Sequence, residues 1–390
     1  MIFNHIARKV GPVVQERIDA LKIGQKMQDL PEHLWHDSFR FYVKEDPSRM
    51  GGPNIRLLRL DPAKPSLTVT GFVFNKFVHP YENRFISVRE AARLQGFPDD
   101  LEFKGSLTST QQQVGNAVPV QLSRAVFETI LTYAAKCGFK EDLSALSLFS
   151  GAGGMDIGAH QSDANGLKIK TKLCIEYWKE ACDTIAGYFK DEMIVANKSV
   201  LDIEQPHKFW KEQTGLTSNP DIIFGGPPCQ SFSNAGKQKG IEDDRGNLIF
   251  DFLRFVETMS PSFFVIENVS NLKAVASGKI FRNILEMADE LGYNVNAGTL
   301  SAADFGAPQL RKRIFFIGCK KELGKVPLPF PTHGDGANLF LKPYATVDDA
   351  FKNLPPLIAQ VEVSEKEEQE SFVWAEIAET EILETKMVEQ

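Results

Sequence analysis

The stretch DIIFGGPPCQ, residues 221–230, indicates both the fold and the chemistry of this chain. Its first four residues read as an apolar strand, and the rigid Gly-Pro-Pro turn behind them delivers the thiol of Cys229 to the carboxyl end of that strand. In an open α/β sheet this edge is where ligands bind. A second apolar strand, residues 263–266, runs into Glu267. A thiol and a carboxyl group at strand ends are suited to covalent attack on an aromatic ring, because the acid absorbs the charge that the attack creates.

From Leu143 onward, apolar strands alternate with stretches of helical length, and this spacing predicts a doubly wound, mostly parallel α/β sheet. The predicted strands are Ala145–Phe149, Lys172–Ile175, Asp221–Phe224, Phe263–Ile266 and Arg313–Gly318. Before them, Ser87 to Gln95 reads as a helix, since Ser87 is followed three residues later by Glu90, the pattern of a capping box. A longer helix is expected from about Val120 to Cys137.

The bulk composition is that of a soluble globular chain of two domains. It has 390 residues, 43% of them hydrophobic, and no run of about 18 apolar residues that would cross a membrane. The five cysteines form no C-x-x-C pair, which favours a reduced, cytoplasmic protein without a disulfide framework or structural zinc. No cluster of metal-ligating residues stands out in the sequence, so no metal is expected. The net charge of -7 is uneven: residues 361–390 hold ten Glu and two Lys, whereas residues 1–95 hold 15 Lys or Arg against 10 Asp or Glu.

A glycine-rich turn, Ser150-Gly151-Ala152-Gly153-Gly154, follows the first strand of the predicted sheet. On its own it is equally well explained as a tight strand–helix turn. The next strand, however, ends in Glu176 and Tyr177, an acid suited to ribose hydroxyls and an aromatic ring suited to stacking on adenine. Asp202 could accept a hydrogen bond from the adenine amino group. The turn departs from G-x-G-x-x-G, so S-adenosylmethionine fits these residues better than a dinucleotide does.

Six sequence blocks taken together resemble the cytosine-5 DNA methyltransferases. They are FSGAGG (149–154), GPPCQSFS (226–233), ENV (267–269), QLRKR (309–313), REAARLQGFP (89–98) and QVGNAVP (113–119). In that family the last two blocks come at the end of the chain, whereas here they come first. The order therefore looks like a circular permutation, which is physically cheap where domain termini lie close together.

The resemblance implies a mechanism and a site. Cys229 would attack carbon 6 of a flipped cytosine, Glu267 would protonate nitrogen 3, and carbon 5 would take the methyl group of S-adenosylmethionine. Arg311 and Arg313, two apart in one strand, would face the base or a phosphate from the same side, although a solvated basic edge is the alternative. Arg313 would also favour the thiolate of Cys229. The implied cofactor contacts are Phe149, Gly151, Gly153, Gly154, Glu176, Tyr177, Asp202, Ile203, Pro228, Leu248, Asn116 and Val118.

The permutation would split the small target-recognition domain between residues 1–98 and 323–390, leaving residues 99–322 as the catalytic domain. Ser231 and Ser233 would belong to a loop that closes over flipped, double-stranded DNA, although a plain surface loop is the alternative. Arg56 and Arg59 could touch phosphates or guanine edges. The acidic segment 361–390 is expected to stay away from the DNA. We therefore expect a monomeric, cytoplasmic modification enzyme of bacterial or phage-like type, paired with a restriction endonuclease. An RNA cytosine-5 methyltransferase and a DNA-binding subunit that needs a partner remain the alternatives.

Overall fold

The computed structural model of the protein describes residues 2–44, 57–71, 73–228 and 248–361. Its α-helices are α1 (Pro12–Ala20), α2 (Asp37–Lys44), α3 (Val88–Leu94), α4 (Leu107–Asn116), α5 (Val120–Lys136), α6 (Gly154–His160), α7 (Lys179–Phe189), α8 (Pro206–Thr214), α9 (Leu248–Met259), α10 (Lys279–Glu290) and α11 (Val347–Phe351). Its strands are β1 (Ile6–Arg8), β2 (Leu58–Arg59), β3 (Ser66–Leu67), β4 (Phe77–Val78), β5 (Leu143–Leu148), β6 (Asp163–Ala164), β7 (Leu167–Glu176), β8 (Ile194–Asn197), β9 (Ile222–Gly225), β10 (Phe263–Val269), β11 (Tyr293–Ser301), β12 (Gln309–Leu310), β13 (Lys312–Lys320), β14 (His333–Gly334), β15 (Lys342–Pro343) and β16 (Ala359–Val361).

The described residues form two compact units whose boundaries differ from the predicted ones. Of the described residues, the first unit draws on those within 2–116, 306–311 and 333–361, and the second on those within 117–305 and 312–332. Helix α4 belongs to the first unit because its Gly115 packs so tightly that an added Cβ would lie 2.0 Å from the backbone nitrogen of Gly71. Residues 323–332 were predicted to belong to the small domain, but they lie in the second unit. There the Tyr133 hydroxyl donates to the Leu323 carbonyl at 2.6 Å.

The first unit combines short strand pairs with a small apolar core and a buried ion pair. Ile18, Leu21 and Met27 are among the core residues. The predicted capping box is confirmed: the Ser87 hydroxyl accepts from the Glu90 amide at 3.1 Å, and the Glu90 carboxylate accepts from the Ser87 amide at 2.7 Å. Glu90 also accepts from the Arg84 guanidinium at 2.7 Å, so the start of α3 is fixed by a charged pair with almost no access to water.

The second unit contains a sheet that has eight strands among the described residues, in the order β11-β13-β10-β9-β5-β7-β6, with β8 also paired to β7. Neighbours in the run β10, β9, β5, β7 and β8 are parallel to one another. Strand β13 is antiparallel to both β10 and β11, and β6 is antiparallel to β7. The prediction of a mostly parallel sheet is therefore confirmed, with antiparallel strands toward its two sides.

Helices cover both faces of this sheet, as a doubly wound fold requires. Ile223 and Phe224 are consecutive in β9 and so point to opposite faces. Ile223 shares a buried cluster with Phe252 and Val256 of α9. On the other face, the ring of Phe224 lies 4.9 Å from the ring of Phe127 in α5, in an edge-on arrangement.

Five predicted strands and both predicted helices are present with shifted ends, but three strands of the sheet, β6, β8 and β11, were not predicted. Strand β11 reads YNVNAGTLS and β8 reads IVAN, and neither carries a long apolar run. Both are half-exposed and draw their stability from pairing with β13 and β7. No helix in the part of the chain that the structure describes is long and apolar enough to cross a membrane.

Candidate active site

The carboxyl ends of four parallel strands bring the predicted chemistry to one edge of the sheet. Strand β5 leads into the glycine turn, β7 ends at Glu176, β9 leads into Gly226, and Glu267 lies near the end of β10. Because β5, β7, β9 and β10 are parallel neighbours, these four ends lie side by side. This is the edge at which an open α/β sheet binds its ligands.

The glycine turn needs its glycines for two different reasons. Phe149, Gly151 and Gly153 all have positive φ, at 55°, 54° and 82°, so the chain leaves β5 through a left-handed path. At Gly154 the reason is space, since an added Cβ would lie 2.3 Å from the Val118 carbonyl oxygen. At Gly151 a Cβ would meet no atom of the described chain within 4 Å, which leaves that side of the turn open to a ligand.

Glu176 links the glycine turn to the end of β7. Its carboxylate accepts hydrogen bonds from the Gly151 amide and the Trp178 amide, each at 2.7 Å. Burial raises the pKa of the Glu176 carboxyl group, and these amide bonds oppose the rise. A carboxylate offers about four acceptor sites, so Glu176 keeps capacity for ribose hydroxyls. Tyr177 beside it is 78% exposed, so its ring is accessible to a stacking partner.

The predicted adenine contacts lie in a short 3-10 turn, Val200–Asp202, beyond β8. The Asp202 side chain is exposed and Ile203 is buried. Leu248 begins α9 and is half-buried, whereas Pro228 is exposed and is the last described residue of its segment. Together with the open glycine turn and the Glu176 carboxylate, these residues fit an adenosine-containing cofactor.

Asn116 and Val118, predicted to contact the cofactor, fall in different units. Asn116 is exposed at the end of α4, in the first unit. Val118 lies in the second unit, buried against Gly154 of the glycine turn. The structure therefore brings Val118, through its backbone, against the cofactor turn.

The carboxylate of Glu267 is buried at the sheet edge and paired with Arg313. The distance from Arg313 Nε to Glu267 Oε1 is 3.0 Å. The other carboxylate oxygen lies toward the turn after β9, since a Cβ on Gly226 would be 2.9 Å from Oε2. The Asn268 side-chain amide donates to the Pro227 carbonyl at 2.9 Å. The Gly-Pro-Pro turn is therefore fixed against the strand that carries the acid, directly before Cys229.

The expectation that Arg311 and Arg313 share one face of a strand is wrong. Strand β12 ends at Leu310 and β13 begins at Lys312, so Arg311 lies in the break between them. Its side chain is buried, and its guanidinium donates to the carbonyls of Val69 and Gly115. Arg311 therefore stabilises backbone within the first unit, whereas Arg313 pairs with the acid.

The expectation that Arg59 contacts DNA is also wrong, because its guanidinium is used inside the first unit. It is 4% exposed and donates to the carbonyls of Leu21 and His79 at 2.7 and 2.9 Å, to the Ile18 carbonyl and to the side chain of Asn83. Burial lowers the pKa of this guanidinium. Arg56, Cys229, Ser231, Ser233 and the segment 362–390 lie outside the described residues.

Two residues near the edge were missed by sequence reasoning. Asp156, in the first turn of α6, is fully buried beneath the glycine turn. Arg254 of α9 donates to carbonyls of the 200–203 turn. An acid inside the run GMDIGA and an arginine inside the apolar run FLRFV were the available signals. Among the described residues there is no cluster of His, Cys, Asp or Glu that could hold a metal ion.

The glycine turn after β5, Glu176 at the end of β7 and the buried Glu267 all lie at one edge of a doubly wound sheet. This arrangement is typical of enzymes that bind a nucleoside cofactor. The family model for C-5 cytosine-specific DNA methylases matches residues 20–132 and 143–384, and the chain belongs to this family. The family's methyl donor is S-adenosylmethionine, and the residues described above fit it.

Curated relatives of the chain are type II methyltransferases. M.AquIA of Picosynechococcus sp. is 39% identical over 228 residues, which cover 54% of this chain and 88% of that protein. M.NgoFVII of Neisseria gonorrhoeae is 36% identical over 211 residues, covering 54% of this chain and 53% of that protein. M1.HphI of Haemophilus parahaemolyticus is 35% identical over 247 residues, with 61% of each chain covered. The matched region is thus most of the first relative and between half and two thirds of the other two.

Proposed function

We propose that this protein transfers a methyl group to carbon 5 of a cytosine flipped out of double-stranded DNA, through a covalent adduct with Cys229. The observation that supports it most directly is the buried Glu267–Arg313 pair set against the Gly-Pro-Pro turn. An acid in this position can reach a ring whose far side is attacked by the thiol at the end of the same turn.

The chain's own residues supply three parts of the reaction. Arg313 holds Glu267 Oε1, so the carboxyl group has one orientation and presents Oε2 toward the turn. Glu267 hydrogen-bonds the cytosine edge and passes a proton to nitrogen 3 while the Cys229 thiolate adds to carbon 6. When bound, S-adenosylmethionine supplies the electrophilic methyl group that the activated carbon 5 takes. S-adenosylhomocysteine is then the leaving product. Loss of the carbon-5 proton to solvent expels the Cys229 thiolate, and nitrogen 3 returns its proton to Glu267, which restores the aromatic ring.

Transfer of tritiated methyl groups from S-adenosylmethionine to duplex DNA tests this function. Wild type should label DNA, and Cys229→Ser and Glu267→Gln should lower the rate by at least a hundredfold, the usual scale for a positioned acid. Cys137→Ser is the matched thiol control, since Cys137 is half-buried at the end of α5. Near-normal turnover by Cys229→Ser would refute the covalent step.

Structured RNA and duplex DNA in parallel reactions separate the leading proposal from the RNA alternative. Labelling of RNA alone would overturn the DNA assignment. Labelling of DNA only after addition of a host extract would support a missing subunit. Mapping of the methylated sites would then show which sequence is protected, and the type II relatives support a restriction endonuclease of the same specificity as partner. Sedimentation measures the proposed monomeric state.

We further propose that the chain is a circularly permuted member of its family. The family model matches two stretches that flank residues 133–142, between α5 and β5. Strands β1 and β16, from the two ends of the described chain, are parallel neighbours, with Ile6 beside Ala359 and Arg8 beside Val361. A chain recut before Leu143 and joined by a linker from Gln390 to Met1 should methylate the same sites, because loop closure costs little. A soluble recut enzyme with changed site preference would count against this proposal.

A further inference from the structure

An arginine on α9 fixes the turn on which the adenine contacts were predicted. Arg254 donates through one guanidinium nitrogen to the Ile203 carbonyl at 2.8 Å and through another to the Val200 carbonyl at 3.0 Å. These two carbonyls flank Asp202 at the end of the short 3-10 turn. The Val200 carbonyl also accepts the turn's own hydrogen bond from the Ile203 amide at 3.3 Å. A planar guanidinium can bridge this carbonyl and the Ile203 carbonyl at once, and so fixes both ends of the turn.

The guanidinium of Arg254 is itself held in place by α9. Its Nε lies 3.3 Å from Asp251 Oδ1, one turn earlier in the helix. Its central carbon lies 5.1 Å from the centre of the Phe255 ring, and Phe255 is fully buried in the core of the unit. The Arg254 side chain is 32% exposed, so its hydrogen bonds to the turn lie near the surface of the unit. Arg254 therefore links the 200–203 turn to α9 and to the core beneath it.

The same turn is tied to the ribose side of the site. The Lys198 amide donates to the Glu176 carbonyl at 2.9 Å, and the Asn197 side-chain amide donates to it at 3.2 Å. The Ser199 hydroxyl accepts from the Leu201 amide at 3.2 Å and caps the turn. Between the anchor at Glu176 and the anchor at Arg254, Asp202 is exposed at the same edge. A short 3-10 turn is weakly stable by itself, so its position depends on these anchors.

We propose that Arg254 is a positioning residue that sets the selectivity of this site for adenine. It holds the turn so that the Asp202 carboxylate meets the exocyclic amino group of the purine. Arg254 does not touch the cofactor itself. The inference rests on the proposed function only in taking S-adenosylmethionine as the cofactor, and it concerns binding, not methyl transfer.

Titration calorimetry with two probes, S-adenosylhomocysteine and S-inosylhomocysteine, tests the inference. The second probe lacks the amino group, so it reports whatever binding does not depend on that contact. Arg254→Met removes the donors and keeps the aliphatic stem, and Arg254→Lys keeps a charge that cannot bridge both carbonyls. Arg282→Met is the matched control, because Arg282 is an arginine of the same unit whose hydrogen bond to the Ser277 carbonyl, at 3.1 Å, is exposed.

Arg254→Met should weaken S-adenosylhomocysteine about tenfold, which corresponds to the loss of roughly one hydrogen bond. The inosine probe should be nearly unaffected, so the preference for adenine should shrink by the same factor. The affinity of Arg254→Lys for S-adenosylhomocysteine should lie between those of wild type and Arg254→Met. Arg282→Met should bind both probes as wild type does. In the Arg254→Met background, Asp202→Asn should have little further effect, because the two changes remove one interaction.

Equal weakening of both probes by Arg254→Met and Arg254→Lys would overturn the selectivity role and leave a purely structural one. Unchanged affinity for S-adenosylhomocysteine would overturn the inference outright. In either case the wild type still binds the cofactor, and the proposed function stands. Failure of the wild type to bind either probe would overturn the proposed function and this inference together.

Discussion

Replacing Asp156 with asparagine should remove a pH-dependent penalty on folding. The Asp156 side chain is fully buried, and neither carboxyl oxygen has a hydrogen bond of normal geometry within the described residues. Burial raises the pKa of Asp156 from 3.8 to about 7, the negative charge of Glu176 adds to the rise, and the nearby Ser147 hydroxyl offsets part of it. The carboxyl group is therefore neutral in the folded protein below about pH 7.

The sign of the effect follows from where the proton is lost. In the unfolded chain Asp156 ionises near pH 3.8, whereas in the folded protein it keeps its proton to about pH 7. Between these values the folded state binds one more proton, so the free energy of unfolding falls as pH rises and levels off above pH 7. At about 1.4 kcal/mol for each pH unit, the whole loss is about 4 kcal/mol.

The amide of Asp156→Asn never ionises, so its stability should lack this decline. Relative to wild type, the variant should gain up to about 4 kcal/mol between about pH 4 and about pH 8, whatever constant offset the amide introduces. Urea denaturation followed by tryptophan fluorescence, without cofactor, measures this difference. Asp191→Asn is the control, since it removes an exposed carboxylate from the same unit. If the Asp156→Asn and wild-type curves run parallel across this range, the buried-acid argument fails.

Three further substitutions test how the chain is packed. Gly154→Ala places a methyl group 2.3 Å from the Val118 carbonyl oxygen and should lower the free energy of unfolding by about 1–3 kcal/mol or more. The melting temperature should fall accordingly, and an unchanged melting temperature would show that the turn moves to accept the methyl group. Arg59→Met should destabilise the first unit while leaving the salt dependence of DNA affinity unchanged, whereas loss of a phosphate contact would reduce that slope by about one. Glu90→Gln breaks the buried pair with Arg84 and should cost about 3–5 kcal/mol in chemical denaturation; a loss below about 1 kcal/mol would mean that the pair is not buried in solution.

Features that depend on short stretches of chain could be predicted from the sequence. The doubly wound sheet follows from apolar strands alternating with helical stretches, and the capping box at Ser87 follows from four consecutive residues. The placement of Glu267 at a strand end and of the glycine turn after β5 also follows, because each is set by the residue order of one strand and its turn. These are properties of nearest neighbours along the chain, where propensity and periodicity apply.

What the fold alone decided is the use to which each polar side chain is put. Arg311 and Arg59 look like surface cations in the sequence. In the structure both guanidinium groups are buried and donate to carbonyls from distant segments of the chain. The burial of Asp156 and the grip of Arg254 on the 200–203 turn likewise depend on elements packed from elsewhere in the chain. A charged side chain loses its hydration free energy wherever it is buried from water. Only the packed structure determines which charged side chains are buried and which partners replace the lost water.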